Sequence, residues 1–173
     1  MTARANFLNL VLNLWWTALC SAPLIIFWSQ HYEPTSLFVQ LLISSISLFW
    51  PESTLRRLQI TSDRRFYDRL GVKAVQALTQ NGKIINRLSG MSGKPRKTIR
   101  SKEDLLRLRR QIAVYERFHL FCLIFFLSTM IAAIVHGRIS LAILILIANM
   151  IYNVYPLLIQ QYNRMRMGQR RLS

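Results

Sequence analysis

Apolar residues in this chain fall into four blocks, with polar residues in the stretches between them. The first block, FLNLVLNLWWTALCSAPLIIFW, covers residues 7–28 and matches the ~20 residues a helix needs to cross a bilayer. A secretory signal is the rival reading of this block, but it is long for an h-region and carries Trp15 and Trp16 in its middle. The second block, TSLFVQLLISSISLFW, covers 35–50. It is short, and Gln40, Ser44, Ser45 and Ser47 make it the most polar of the four, a pattern typical of helix–helix contact in membranes. The third and fourth blocks cover 118–136 and 139–160, with His136, Gly137 and Arg138 as the only turn between them. Pro34 ends any helix in the turn between the first two blocks. Pro156 lies in the last turns of the fourth block, where a kink is tolerated if polar neighbours satisfy the freed carbonyl.

This pattern predicts an all-α, polytopic membrane protein: four transmembrane helices arranged as two hairpins. A basic cytoplasmic helical region, 51–117, would lie between the hairpins, and a basic tail, 161–173, would follow them. The whole chain, 1–173, then forms one membrane domain.

Charge sets the orientation. The chain has 173 residues, 52% of them hydrophobic, yet its formal net charge is +16. Such values coexist when apolar blocks sit in lipid and basic blocks at its surface. The 31–34 turn has no Lys or Arg, and the 136–138 turn has Arg138 alone. The basic residues crowd into 51–117 and the C-terminal tail, so the positive-inside rule places both termini and the central region in the cytoplasm.

Within the central region, TSDRRFYDRLGVKAVQALTQNG (61–82) reads as one amphipathic helix on the membrane surface. Phe66, Leu70, Ala74, Ala77 and Leu78 share a face, Thr61 or Ser62 caps the start, and Gly82 ends it. GMSGKPRKT (90–98) reads as a loop. From Ser101 a second helix begins, with Asp104 placed for a capping box. No breaker separates it from the third block, so one helix is expected from about Lys102 to about Val135. The basic surface suits anionic lipid headgroups or a soluble, phosphate-rich cosubstrate. No nucleic-acid fold or aromatic stacking platform accompanies it.

Several chemistries lack their signatures. There is no GxGxxG, GxxxxGK[ST] or GxSxG. Cys20 and Cys122 lie in apolar blocks, and His31, His119 and His136 have no metal-ligand spacing, so no metal centre is expected. What remains is a polar group at the cytoplasmic membrane face. Glu116 and His119 are three apart and share a helix face. If the third and fourth blocks pack as a hairpin, Tyr162, Asn163 and Arg164 return to the same level. Histidine suits proton transfer near neutral pH, Glu116 could orient it, and Asn163 with Arg164 could hold an oxyanion or phosphate. The plainer alternative pairs Glu116 with a nearby arginine and leaves His119 in an interfacial belt.

The end of the chain, NVYPLLIQQYNRMRM, is similar to a motif of the glycosyl-4,4′-diaponeurosporenoate acyltransferase family, small bacterial membrane proteins of carotenoid-ester synthesis. That family carries Asn-x-Pro followed by Gln-Arg-Tyr-Asn-Arg-Pro-Arg, which Asn153, Gln160, Tyr162, Asn163, Arg164 and Arg166 match. YERFH resembles its Glu-x-x-His entering a span, at Glu116 and His119, and RRFYDRLGVKAVQ resembles its Phe-Tyr-basic stretch, at Phe66, Tyr67 and Arg69. Pro156 sits one place late, Gln161 stands for an arginine, Met165 for a proline, and Leu120 for a tryptophan.

The resemblance implies a bacterial inner-membrane enzyme that moves a fatty acyl group from a carrier to a hydroxyl of a lipid-soluble acceptor, such as a glycosylated carotenoid. Acyl-CoA is the natural candidate cosubstrate, and no other cofactor is implied. His119 and Glu116 would be catalytic. Asn153, Gln160, Tyr162, Asn163, Arg164 and Arg166 would bind substrate. Its partners would be membrane lipids, the acyl donor and the acceptor. The competing class is a non-catalytic membrane subunit or assembly factor that docks through the basic face.

Overall fold

The computed structural model describes residues 3–78 and 101–169, and among these every regular element is helical. Helix α1 spans Ala3–Gln30 and α2 spans Pro34–Ser45, continued by a 3₁₀ turn over Ile46–Phe49. Three short helices follow: α3 (Glu52–Arg57), α4 (Arg64–Arg69) and α5 (Val72–Leu78). Helix α6 runs from Lys102 to Val135, and α7 covers Ile139–Asn149. A π-helical segment, Met150–Val154, then leads into α8, Tyr155–Gln169.

Three helical stretches are long and apolar enough to cross a membrane: Asn6–Gln30, Lys102–Val135 and Ile139–Met167. The expected fourth, 35–50, is a shorter apolar helix, Pro34–Phe49. Contacts fix its place. At its start, the 31–34 turn meets the 136–138 turn, where Arg138 Nε donates to His31 Nε2 at 3.1 Å. The rings of His31 and His136 lie 4.7 Å apart there. At its other end, Arg117 Nε donates to the carbonyl of Trp50 at 2.8 Å. The short helix therefore runs beside α6 from the level of His136 to that of Arg117.

Its polar residues face the expected helix–helix contact, the serines by packing and Gln40 by hydrogen bonds. Ser44 and Ser47 are buried, but each hydroxyl donates to a carbonyl of its own chain segment, the usual back-bonding of helical serine. Gln40 makes the cross-helix contact, its Oε1 accepting from Ser128 Oγ at 3.1 Å and Thr129 Oγ1 at 3.3 Å.

The expected long helix through 102–135 is present, and so is its capping box. Ser101 Oγ accepts from the Asp104 amide while the Asp104 carboxylate accepts from the Ser101 amide. At ~1.5 Å per residue it reaches ~50 Å, well past a ~30 Å hydrocarbon layer. Its far end closes on Gly137, whose φ of +70° lets the Arg138 amide bond back to Ala133 O and the Gly137 amide to Ile134 O. That six-to-one closure reverses the chain sharply, as a left-handed glycine allows. Buried Ala133, Ala142 and Ala148 then let α6 and α7 approach closely.

The amphipathic stretch departs from its expected single helix. Gly71, at φ +69°, breaks it into α4 and α5. The cap is Asp63, accepting from the Arg65 amide, rather than Thr61 or Ser62. Tyr67 and Val72 form the buried face with Phe66 and Val75 beside them, while Leu70 is exposed. The break rotates α5 relative to α4, so one helical wheel cannot describe both. Gly82 and the 90–98 loop lie outside the described residues. This pair of helices packs on α8 in a cluster of Tyr67, Val72, Leu158, Ile159, Tyr162 and Met165.

Candidate functional site

The α6–α8 interface brings together most of the residues singled out from sequence, in two groups. In the first, Arg164 Nη2 donates to Glu116 Oε1 at 2.5 Å, with the side chains 15% and 3% exposed. The partner of Glu116 is thus Arg164 rather than His119, as in the plainer of the two readings. Arg164 Nε is buried without a hydrogen-bond partner among the described residues. The pair floors a small half-open cavity of about 20 Å³, whose rim carries Arg56, Arg109 and Glu52. Glu52 engages Arg109 at 2.8 Å as Glu116 engages Arg164, and Arg56 adds a further cation to the same lining.

In the second group, His119 Nδ1 lies 3.4 Å from Asn153 Oδ1. Asn153 is fully buried, and its Nδ2 donates to Asn149 Oδ1 at 2.8 Å. Asn149, also buried, donates from Nδ2 to the backbone carbonyl of Leu123 at 3.2 Å. Pro156 contributes indirectly. In a regular helix the Tyr152 carbonyl would accept from residue 156, and proline has no N–H to give. The π-helical segment spans the same turn, a distortion common at functional sites. Tyr152 packs beside this group, its ring 6.0 Å from that of His119 and its hydroxyl 2.9 Å from Thr17 Oγ1.

The remaining predicted residues have other surroundings. Tyr162 is 1% exposed and packs 5.9 Å from Tyr67, with the Arg166 guanidinium 5.6 Å from its ring centroid. Such a buried phenol is core, and the exposed Arg166 covers it by a cation–π contact. Asn163 Oδ1 accepts from Gln76 Nε2 at 3.4 Å, tying α8 to α5. Gln160 is half-buried.

Sequence reasoning assigned no role to two residues that matter here. Asn149 completes the amide chain, and the signal for it was the i, i+4 spacing to Asn153 inside an apolar run. Gln161 is a clamp: its Oε1 accepts from the Ile60 amide and from the Tyr67 hydroxyl, each at 3.2 Å, and its Nε2 donates to Leu58 O at 3.0 Å. Burial pushes the Tyr67 phenol above its ordinary range, against the lowering pull of its bond to Thr61 and of Arg164.

Comparison with known proteins agrees with the resemblance. No curated protein and no solved structure matches the chain. A family model, described as glycosyl-4,4′-diaponeurosporenoate acyltransferase, matches residues 51–171. That segment holds α3 to α8 and both polar groups. By this match, the chain belongs to the glycosyl-4,4′-diaponeurosporenoate acyltransferase family, whose name describes acyl transfer in carotenoid biosynthesis.

Proposed function

We propose that this protein transfers a fatty acyl group from acyl-CoA or another acyl carrier to a hydroxyl of a lipid-soluble acceptor such as a glycosylated carotenoid, with His119 as general base. The observation that carries this reading is the half-buried imidazole held against a buried Asn153–Asn149 pair, inside the family-matched segment. An unpaired amide in such a place is costly, so each amide is bonded to the next and the series fixes the place of the histidine.

In the proposed reaction the acceptor hydroxyl attacks the thioester carbonyl as its proton passes to His119. The tetrahedral oxyanion then collapses, the thiolate leaves, and the imidazolium returns the proton to the departing sulfur. Arg56 and the other basic residues of the 51–117 region hold the phosphates of the donor at the membrane face. Glu116 acts on Arg164 by fixing its guanidinium. Asn163, Gln160 and Arg166 line the approach of substrate to that end of α8. Tyr162 contributes by packing.

The membrane reading goes with this. We place both termini and the 51–117 region in the cytoplasm of a bacterial inner membrane, with four crossings. The run of the short helix beside α6, between the levels of His136 and Arg117, supports the fourth crossing. The charge asymmetry supports the orientation. The non-catalytic alternative draws support from the Gln161 clamp and the Tyr162–Tyr67 packing, which are purely architectural.

Reconstitution tests the reading directly. The purified protein in nanodiscs, given labelled acyl-CoA and a glycosylated carotenoid, should form the ester, and His119→Gln should abolish it. Ester formation that survives His119→Gln would remove the histidine from the mechanism. No ester with any acyl carrier would favour the non-catalytic alternative.

A further inference from the structure

The amide chain behind His119 has a direction, and the direction follows from one group that cannot change its role. The backbone carbonyl of Leu123 only accepts hydrogen bonds. The end of the Asn149 side chain that meets it at 3.2 Å is therefore the NH₂ group. That turns the Asn149 oxygen toward Asn153, which must answer with its own NH₂, at 2.8 Å. The Asn153 oxygen is then the atom left for His119 Nδ1, at 3.4 Å. A lone pair on Nδ1 would face an oxygen lone pair, so Nδ1 carries a proton. Each amide is buried, 2% exposed for Asn149 and 0% for Asn153, so water offers no alternative partner that would let either one flip.

We propose that this relay locks His119 in its Nδ1–H form, which makes Asn149 a positioning residue and Nε2 the atom that exchanges protons with substrate. This rests on the reading of His119 as a base. The proton leaving the acceptor hydroxyl lands on Nε2, gives the imidazolium, and goes from Nε2 to the departing thiolate sulfur. The Nδ1 proton stays in place throughout, bonded to Asn153. Asn149 never meets substrate. It acts through Asn153, and its loss frees that amide to rotate and present either its oxygen or its nitrogen to the ring.

The test is nitrogen-15 NMR of the full chain in nanodiscs with labelled histidine, the His119 signals being identified by their loss in His119→Gln. The neutral ring of the wild type should show a protonated Nδ1 and a bare Nε2. Asn149→Leu, close in volume and unable to hydrogen-bond, should give a mixture of both tautomers. It should also lower kcat by roughly tenfold with KM nearly unchanged, a part of what proton transfer contributes to catalysis. Asn149→Ala serves for the same comparison where the leucine variant does not insert. A wild-type ring protonated on Nε2 and bare on Nδ1 would overturn the proposal. So would a tautomer unmoved by loss of Asn149. The Nδ1–H signature in a protein without transferase activity would uphold the relay while removing the base reading on which its catalytic meaning depends.

Discussion

Breaking the Glu116–Arg164 pair from one side should cost far more than removing it whole. The two side chains are 3% and 15% exposed, and their closest atoms are 2.5 Å apart. With charge centres ~4 Å apart, an effective dielectric of ~20 gives about 4 kcal/mol of attraction. Desolvation of each ion offsets several kcal/mol, so the intact pair contributes little net stability. A single substitution removes the attraction and leaves the desolvation. Arg164→Met strands a carboxylate against Ile112 and Ala113, which line the same cavity. Glu116→Gln strands a guanidinium whose Nε is already buried without a hydrogen-bond partner among the described residues. Each should cost about 3–5 kcal/mol, the range for one-sided loss of a buried pair. The double variant should cost no more than either single. Unfolding in mixed micelles with increasing SDS, followed by the fluorescence of Trp15, Trp16, Trp28 and Trp50, measures all four proteins. Singles within about 1 kcal/mol of wild type, and additive in the double variant, would refute the reasoning: that is how a solvated surface pair behaves.

Other consequences are narrower. Gln161→Leu should destabilise by about 1–3 kcal/mol, because the buried Tyr67 hydroxyl and the part-buried bonds to the Ile60 amide and Leu58 carbonyl lose their partner; hydrogen exchange should accelerate at Ile60 first. Gln40→Leu should cost about 0.6–1.7 kcal/mol, the span measured for hydrogen bonds between membrane helices, and should loosen α2 from α6 in cross-linking between engineered cysteines. His31 should titrate below the ordinary histidine range, held down by desolvation and by the nearby His136 and Arg138. Because its folded pKa is lowered, the contribution of the His31 contact is complete above the unfolded value of ~6.5 and fades as pH falls through the folded value. Arg138→Gln should move its NMR titration upward, and an unchanged curve would contradict the contact.

How legible this molecule was depended on how local each signal is. Hydropathy gave the three long spans, and Ser101 with Asp104 gave the start of α6, because a bilayer-length apolar run and a capping box are each written within one stretch of chain. The break at Gly71 was hidden by apparent continuity of the amphipathic pattern. Only packing against α8 shows that Tyr67 and Val72, not Leu70, are inside. Glu116 and His119 do share a face of α6, but periodicity says nothing about which partner each one finds across the interface. Those partners, Arg164 in α8 and Asn153 in the π-helical segment, are set by the register of the last helical stretch against α6, and the π-helical turn before Pro156 shifts that register. Tyr162 was placed with the site by its match to the family motif and its level in the hairpin; its burial against Tyr67 is a tertiary fact. Asn149 went unweighed because an asparagine in an apolar helix has no meaning until its neighbours are known.

The central claim is that His119 performs acyl transfer in the membrane. The most direct test compares, by mass spectrometry, lipid extracts of cells expressing wild type and His119→Ala at matched levels of inserted protein. The account predicts a fatty-acylated glycosyl carotenoid, or a related acylated isoprenoid or glycolipid, present with wild type and missing with the variant. Identical lipid profiles from two stably inserted proteins would contradict it.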